Sequence, residues 1–284
     1  MEEEAEFNEL VYLNLHPDVR AAVESGLFRS GYEHYCRYGR GESRRLSRIA
    51  QKDLHFIRDY TRLVRDLIAA HPGDYDLAMA KAIGSQTLES FVEFGDKHVH
   101  VLRRVGLQDG CAIYDLACGS GRTASALRRH GWNGSYRGAD IIDELVSYAR
   151  QKSPDFQFFV HRDFSIVADD GSQDIIFSWS LFTHLHLEEI YLYAEDCKRA
   201  LKPGGVLVFS FLELSKPSNE AVFRSRVESM RTGAGAPHLD TFMDRQTISH
   251  MFVTMLGYTL VEFIGADEPL PGGAFGQSIA VLRK

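Results

Sequence analysis

Tyr114-Asp115-Leu116-Ala117-Cys118-Gly119-Ser120-Gly121-Arg122-Thr123-Ala124 passes from an apolar, β-favouring run through two glycines into a helical pattern. The glycines let the chain turn tightly and bring backbone N–H groups at a helix start close to a ligand. Gly119-x-Gly121-x-x-Ala124 satisfies a dinucleotide-type fingerprint, with Asp140 standing about 20 residues further on, where a ribose-binding acid belongs. Asp115 points away from that reading. It precedes the first glycine by four positions, and a carboxylate there repels a pyrophosphate while suiting a ligand that carries a cation.

Outward from this turn, β-rich runs alternate with helical patterns: Ala112 to Ala117, Tyr136 to Ile141, Phe156 to Val160, Asp174 to Trp179 and Val206 to Leu212. That alternation predicts βαβ units and a mainly parallel, doubly wound α/β sheet. Between the last two runs, Leu187, Ile190, Tyr191, Ala194, Cys197 and Leu201 share one helix face. Glu188 and Glu189 open that helix, Lys198, Arg199 and Lys202 close it, and Pro203-Gly204-Gly205 stops it, in agreement with the helix dipole. The runs Tyr258 to Ile264 and Gln277 to Leu282 are joined by a Pro/Gly-rich connection without helical periodicity, so they are read as antiparallel neighbours. Before Asp109-Gly110 the signals are helical. His16-Pro17-Asp18 opens a short helix closed by Gly26, a segment rich in Tyr and Arg runs from Gly31 to Gly41, and two amphipathic stripes follow at Ile57–Ile68 and Leu88–Leu102.

With 32 basic against 39 acidic residues and a net charge of -7, general attraction to nucleic acid or an anionic membrane is not expected. The acidic start Met1-Glu2-Glu3-Glu4 does not read as a signal peptide, and no apolar run approaches a membrane span. Cys36, Cys111, Cys118 and Cys197 are scattered without a C-x-x-C pair, which fits reduced thiols and a cytoplasmic location.

The glycine turn with its preceding acid resembles the first motif of class I S-adenosylmethionine-dependent methyltransferases, and the resemblance extends over roughly Phe91 to Lys284. Gly138-Ala139-Asp140-Ile141 is similar to that family's second-strand motif, Arg162-Asp163-Phe164 to the acidic position after strand three, and Asp174 through Leu185 to strand four and its loop. Leu201-Lys202-Pro203-Gly204-Gly205 is similar to the turn into strand five. The resemblance implies a Rossmann-like, seven-stranded, mainly parallel sheet with an antiparallel C-terminal strand, preceded by an N-terminal helical region. It implies S-adenosyl-L-methionine as cofactor and S-adenosyl-L-homocysteine as product, held by Asp115, Ala117, Gly119, Ser120, Gly121, Asp140, Ile141, Asp163 and Trp179. Within that set Asp140 is expected to take the ribose hydroxyls and Asp163 the adenine amino group. Ala117 departs from the glycine frequent there. The expected organisation is a helical module over 1–46, a helical cap over 47–108 and a methyltransferase domain over 109–284.

Segment 12–41 resembles a helical module of bacterial glycan-processing enzymes. With Tyr32, Tyr35 and Tyr38 beside Arg37, Arg40, Arg44, Arg45 and Arg48, it points to O-methylation of a sugar or glycan intermediate. Another small-molecule acceptor is the alternative, and the module equally suits a contact in a homodimer. A catalytically silent cofactor-binding protein and a nicotinamide dehydrogenase are the competing classes. His184 is the candidate general base, with His238 and Asp240 as alternates. His184-Leu185-His186-Leu187-Glu188 has the spacing of converging ligands, but it is turning into a helix whose start explains Glu188, so no metal is expected.

Overall fold

The computed structural model describes residues 7–46, 55–233 and 238–284. Expectations that fall on the remaining positions, Arg48 among them, lie outside the described residues. The N-terminal region is helical: α1 (Glu9–Leu15), α2 (Pro17–Glu24) and α3 (Gly31–His34), the last running on into a π turn at Tyr35–Gly39. Then come α4 (His55–Ala70), α5 (Tyr75–Ala82) and α6 (Leu88–Arg104). The alternating part follows as β1 (Ala112–Leu116), α7 (Arg122–Arg129), β2 (Ser135–Asp140), α8 (Asp143–Lys152), β3 (Gln157–Val160) and β4 (Gln173–Ser178). It ends with α9 (Leu187–Ala200), β5 (Leu201–Phe211), α10 (Pro217–Arg231), α11 (Arg245–Ile248), β6 (Thr259–Ile264) and β7 (Ser278–Arg283).

The strands form one seven-stranded sheet in the order β3-β2-β1-β4-β5-β7-β6. β1 to β5 pair in parallel, and β7 inserts antiparallel between β5 and β6. This is the expected Rossmann-like doubly wound sheet with its antiparallel ending. The alternation of side chains along the strands divides the core. Ile113, Ile175, Val206, Val208, Ile279 and Val281 join Val99, Leu102 and Leu127 on one face. Tyr114, Ile176, Leu207, Phe209, Ala280 and Leu282 join Phe182, Ile190, Ala194 and Phe252 on the other. Strands covered on both faces read as nearly continuous apolar runs, which is why they were recognisable one by one.

β5 departs from its expected start. Pairing with β4 already exists at Gln173↔Leu201 and resumes, after an irregularity, at Ile175↔Val206. The Pro203-Gly204-Gly205 turn is therefore carried within the strand as a bulge-like interruption. Gly205 has no room for a side chain, because a Cβ would sit 3.0–3.1 Å from three backbone carbonyls.

Beneath β4, Asp196 of α9 is fully buried. Its carboxylate accepts from Ile166 N at 2.6 Å and from Arg199 Nε at 2.7 Å. Arg199 also donates to the carbonyls of Ala168 and Ile166, so the pair pins the loop before β4 to the helix. Asp196→Ala leaves the buried Ile166 N–H without its acceptor while Arg199 keeps Asp170 as an ion-pair partner, so it should lower stability by about 1–3 kcal/mol. A urea midpoint within error of the parent's would show that the pair is not structural.

Candidate active site

The site forms where β1 and β2 end and helices α4 to α6 lie across them. β1 delivers Asp115, and the chain then enters left-handed backbone at Ala117 (φ +64°), Gly119 (φ +54°) and Gly121 (φ +79°) before α7 begins. Ala117 adopts a conformation that strongly favours glycine, a physical reason for the residue it replaces in the related motif. The turn is braced by Asp140 at the end of β2. Its carboxylate accepts from Gly119 N at 2.9 Å and from Ile142 N at 3.1 Å. Burial raises the pKa of Asp140 while these N–H donors oppose the rise.

A cavity of about 440 Å³ opens beside this turn, within the range of small-molecule sites. Of the expected cofactor residues, Asp115, Ala117, Gly119, Asp140, Ile141 and Trp179 line it, and so do His184 and His238. Three others are placed differently. Ser120 is fully buried and donates its hydroxyl to Met79 O of α5 at 3.1 Å, fastening the turn to the helices above it. Gly121 lies behind the lining and makes the turn into α7, where a Cβ would stand 2.9 Å from Ala149 Cβ. Asp163 does not line the cavity, and its carboxylate accepts from the neighbouring Phe164 N at 2.8 Å. The chain bends just after β3, so the short acidic side chain is drawn to its own turn, while His161 and Phe164 on either side face the cavity.

Asp115 is 2% exposed. Tyr136 donates its hydroxyl to it at 2.6 Å, and Thr123 and the charge of the cavity-lining Arg122 also favour its ionised form. Burial outweighs them and pushes its pKa from 3.8 up to about 6. Elsewhere on the wall stand His184 and His238, backed by Arg226 and Asp240, which do not line the cavity. His184 Nδ1 is 2.8 Å from Leu239 O, and His238 lies edge-on to His184 with ring centroids 4.6 Å apart. Arg226 of α10 forms an ion pair with Asp240 and donates Nη2 to His238 Nε2 at 2.8 Å. His184, His238 and Asp240 offer ligand atoms within 4.8 Å of one another, but Arg226 already supplies a cation to two of the three. Desolvation lowers the pKa of both histidines, assisted at His238 by its neighbour His184. His186 is turned away to begin α9, where its N–H is taken by Glu189.

The sequence did not single out Tyr60, Ile83 and His98, which the helices bring to the cavity, or Arg226, whose partners lie beyond the turn after α10. Tyr60 packs near both His184 and His238. Ile83 fills the space a side chain at 119 would take, its Cγ2 only 2.7 Å from a Cβ built there. A histidine on the apolar stripe of α6 was the one readable signal, at His98.

An aspartate with a raised folded-state pKa holds its proton more tightly folded than unfolded. Stability therefore rises as pH falls through about 6 toward 3.8, and above 6 the buried charge costs its full amount. Asp115→Asn should stabilise the ligand-free protein at pH 7.5 by about 1–3 kcal/mol and flatten that pH dependence. Thermal melts at pH 5 and 7.5 test this, and a variant destabilised at both would overturn it.

Residues 113–205 match the family model described as a methyltransferase domain. The chain is 27% identical over 128 residues to 2-methyl-6-phytyl-1,4-hydroquinone methyltransferase of Synechocystis, a match covering 42% of this chain and 39% of that protein. It is 29% identical over 105 residues to ubiquinone biosynthesis O-methyltransferase of Coxiella burnetii, covering 36% and 43%. The matches thus span about two fifths of these relatives' length. Among solved structures, magnesium protoporphyrin IX methyltransferase of Synechocystis with bound S-adenosylhomocysteine superposes with a TM-score of 0.55 at 16% identity, over 79% of this chain and 99% of that one. An S-adenosylmethionine-dependent methyltransferase of Methanosarcina mazei gives a TM-score of 0.53 at 17% identity, over 65% and 96%. The chain has the fold of the class I S-adenosylmethionine-dependent methyltransferases, and its residues 113–205 match the methyltransferase-domain model.

Proposed function

We propose that this protein transfers the methyl group of S-adenosylmethionine to a hydroxyl of a small molecule. The observation that carries the reading is one cavity lined both by the Asp115–Gly119–Asp140 turn and by His184. The residues present fit the cofactor: a buried carboxylate suits its cationic end, and Asp140 stands at the strand end where ribose hydroxyls need an acceptor. When bound, the cofactor supplies a methyl group activated by a sulfonium, so the carbon–sulfur bond breaks as the oxygen–carbon bond forms and the electron pair stays on sulfur.

The protein's share is alignment and removal of one proton. Leu239 O can only accept, so His184 donates Nδ1–H to it and keeps Nε2 as the lone-pair nitrogen of a cavity-lining side chain. That nitrogen takes the acceptor's hydroxyl proton. The alternates are engaged: Arg226 donates to His238 Nε2 and pairs with Asp240. Helices α4 to α6 lie over the cavity and exclude water, the role of a cap over 47–108 within its described part. The domain over 109–284 supplies the cofactor turn.

The acceptor we favour is a ring hydroxyl on an apolar body, as in the hydroquinone named for one relative. Tyr60, Leu63, Leu181 and Leu185 line the cavity with His184, and such a wall suits an apolar ring. A sugar or glycan acceptor is the second reading, resting on the likeness of the N-terminal module. Its proposed contacts are engaged within that module: Phe7 packs with Tyr12, Tyr32 and Tyr35, Arg37 pairs with Glu33, and Arg44 pairs with Asp18 and Glu42. A methylation screen of phenols and hydroquinones against nucleotide-sugars and oligosaccharides separates the two, and product from the sugars alone would reverse the order.

His184→Ala should leave cofactor affinity intact and slow single-turnover transfer by about 10²–10⁴-fold. The parent's rate should fall on acidification through a pKa below 6.5, because burial depresses that of His184, and this limb should vanish in the variant. Transfer within a few-fold of the parent would remove His184 from the reaction.

A further inference from the structure

The segment that carries His238 is clamped against the loop after β4. Leu239 O accepts from His184 Nδ1 at 2.8 Å, Thr241 N donates to Thr183 O at 2.7 Å, and Thr241 Oγ1 donates to Leu185 O at 2.6 Å. These bonds seat two imidazoles side by side in the cavity wall, edge-on, with ring centroids 4.6 Å apart. Tyr60 of α4 packs over both, its ring 6.1 Å from that of His184 and 6.0 Å from that of His238.

The group behind each ring decides which nitrogen holds its proton. A carbonyl only accepts, so His184 carries Nδ1–H and a bare Nε2. A guanidinium only donates, and Arg226 Nη2 stands 2.8 Å from His238 Nε2, so on this ring Nε2 is the bare nitrogen and the proton sits on Nδ1. Asp240 Oδ1, 3.4 Å from the same Nε2, draws the proton the other way, but its carboxylate is taken up by the ion pair with Arg226. The two rings therefore leave unlike atoms free, an acceptor at His184 Nε2 and a donor at His238 Nδ1. Neither has a partner among the described residues, and neither nitrogen is fully buried. A lone hydroxyl satisfies one of them. A ligand with a second oxygen beside the first satisfies both, whereas an apolar neighbour strips the His238 N–H of water and gives nothing back.

We propose that the paired histidines select an acceptor with two neighbouring oxygens. The hydroxyl to be methylated gives its proton to His184 Nε2 as its oxygen bonds the methyl carbon, and the pair of the broken carbon–sulfur bond stays on sulfur. The oxygen on the adjoining carbon accepts from His238 Nδ1–H. Arg226 is a positioning residue, which touches no substrate and holds the His238 proton on the nitrogen that needs it. This rests on the reading of His184 as the base in methyl transfer to a hydroxyl. The second oxygen needs only a lone pair, so an ortho-oxygenated phenol and a vicinal diol of a sugar share the chemistry.

The test compares substrates that differ only in that oxygen. In competition, the parent should prefer ortho-methoxyphenol over its para isomer by about tenfold in kcat/KM, the effect of one hydrogen bond. On the sugar arm, methyl glucoside should lose about as much when the hydroxyl beside the methylated one is removed, and the arm that gives product identifies the body carrying the pair. His238→Leu should erase the preference, while His238→Asn, whose amide N–H stands in for Nδ1–H, should keep most of it. A ratio read within one sample does not depend on the fraction folded. Nitrogen NMR of the ligand-free parent should find His184 and His238 both protonated on Nδ1. In Arg226→Met the His238 proton should move to Nε2, toward Asp240, and the preference should fall with it. Equal use of the paired substrates by the parent, a preference that survives His238→Leu, or a parent His238 protonated on Nε2 overturns the assignment while the methyl-transfer reading stands. Methylation of no substrate in either arm overturns that reading and this inference with it.

Discussion

Asp140 holds the site together. One carboxylate accepts from Gly119 N in the turn after β1 and from Ile142 N at the start of the next loop. The pairing of β1 with β2 runs to Leu116↔Ala139, and Asp140 adds a tie between the two segments that follow it at the C-terminal edge, where open α/β sheets bind ligands. The glycine turn has three residues in left-handed backbone within five positions, a shape with little local support. The Asp140 carboxylate takes one of its N–H groups, Gly119 N, and backbone bonds from Cys118 N to Ala139 O and from Gly121 N to Cys118 O complete the hold.

Around this brace the site is assembled from groups that are costly in isolation: a buried carboxylate at Asp115, a buried guanidinium at Arg122, and histidines whose surroundings keep them neutral. Such groups work against the stability of the empty protein. Their retention at one cavity is what a binding site looks like when folding and function pull in opposite directions.

The sheet was legible because β1, β4, β5 and β7 are covered on both faces and their runs are almost purely apolar. The acids at strand ends were legible when the strand itself fixed their direction, as for Asp115 and Asp140. Asp163 was not, because it lies beyond β3 in a bend that its own side chain stabilises. Ser120 belongs to the right motif but faces the helices, and nothing in the motif's spacing tells one side of a turn from the other. Tyr60 and Ile83 come from helices distant in sequence, and their arrival depends on packing that no local pattern encodes. Arg122 carried a weak trace in the sequence: a basic residue in the first turn of a helix runs against the dipole and asks for an explanation.

Gly119 is required twice. Its positive φ favours glycine, and Ile83 occupies the volume where a side chain would be, while the adjacent Ser120 is tied to Met79. The helices over the cavity and the turn beneath them are therefore one mechanical part made from two distant stretches of chain. Such a part is inherited whole: a bulkier residue at 83 or any side chain at 119 must be answered by the other. Across related sequences the two positions should change in concert, and a cap transplanted from another enzyme should seat only if its own residue 83 comes with a matching turn.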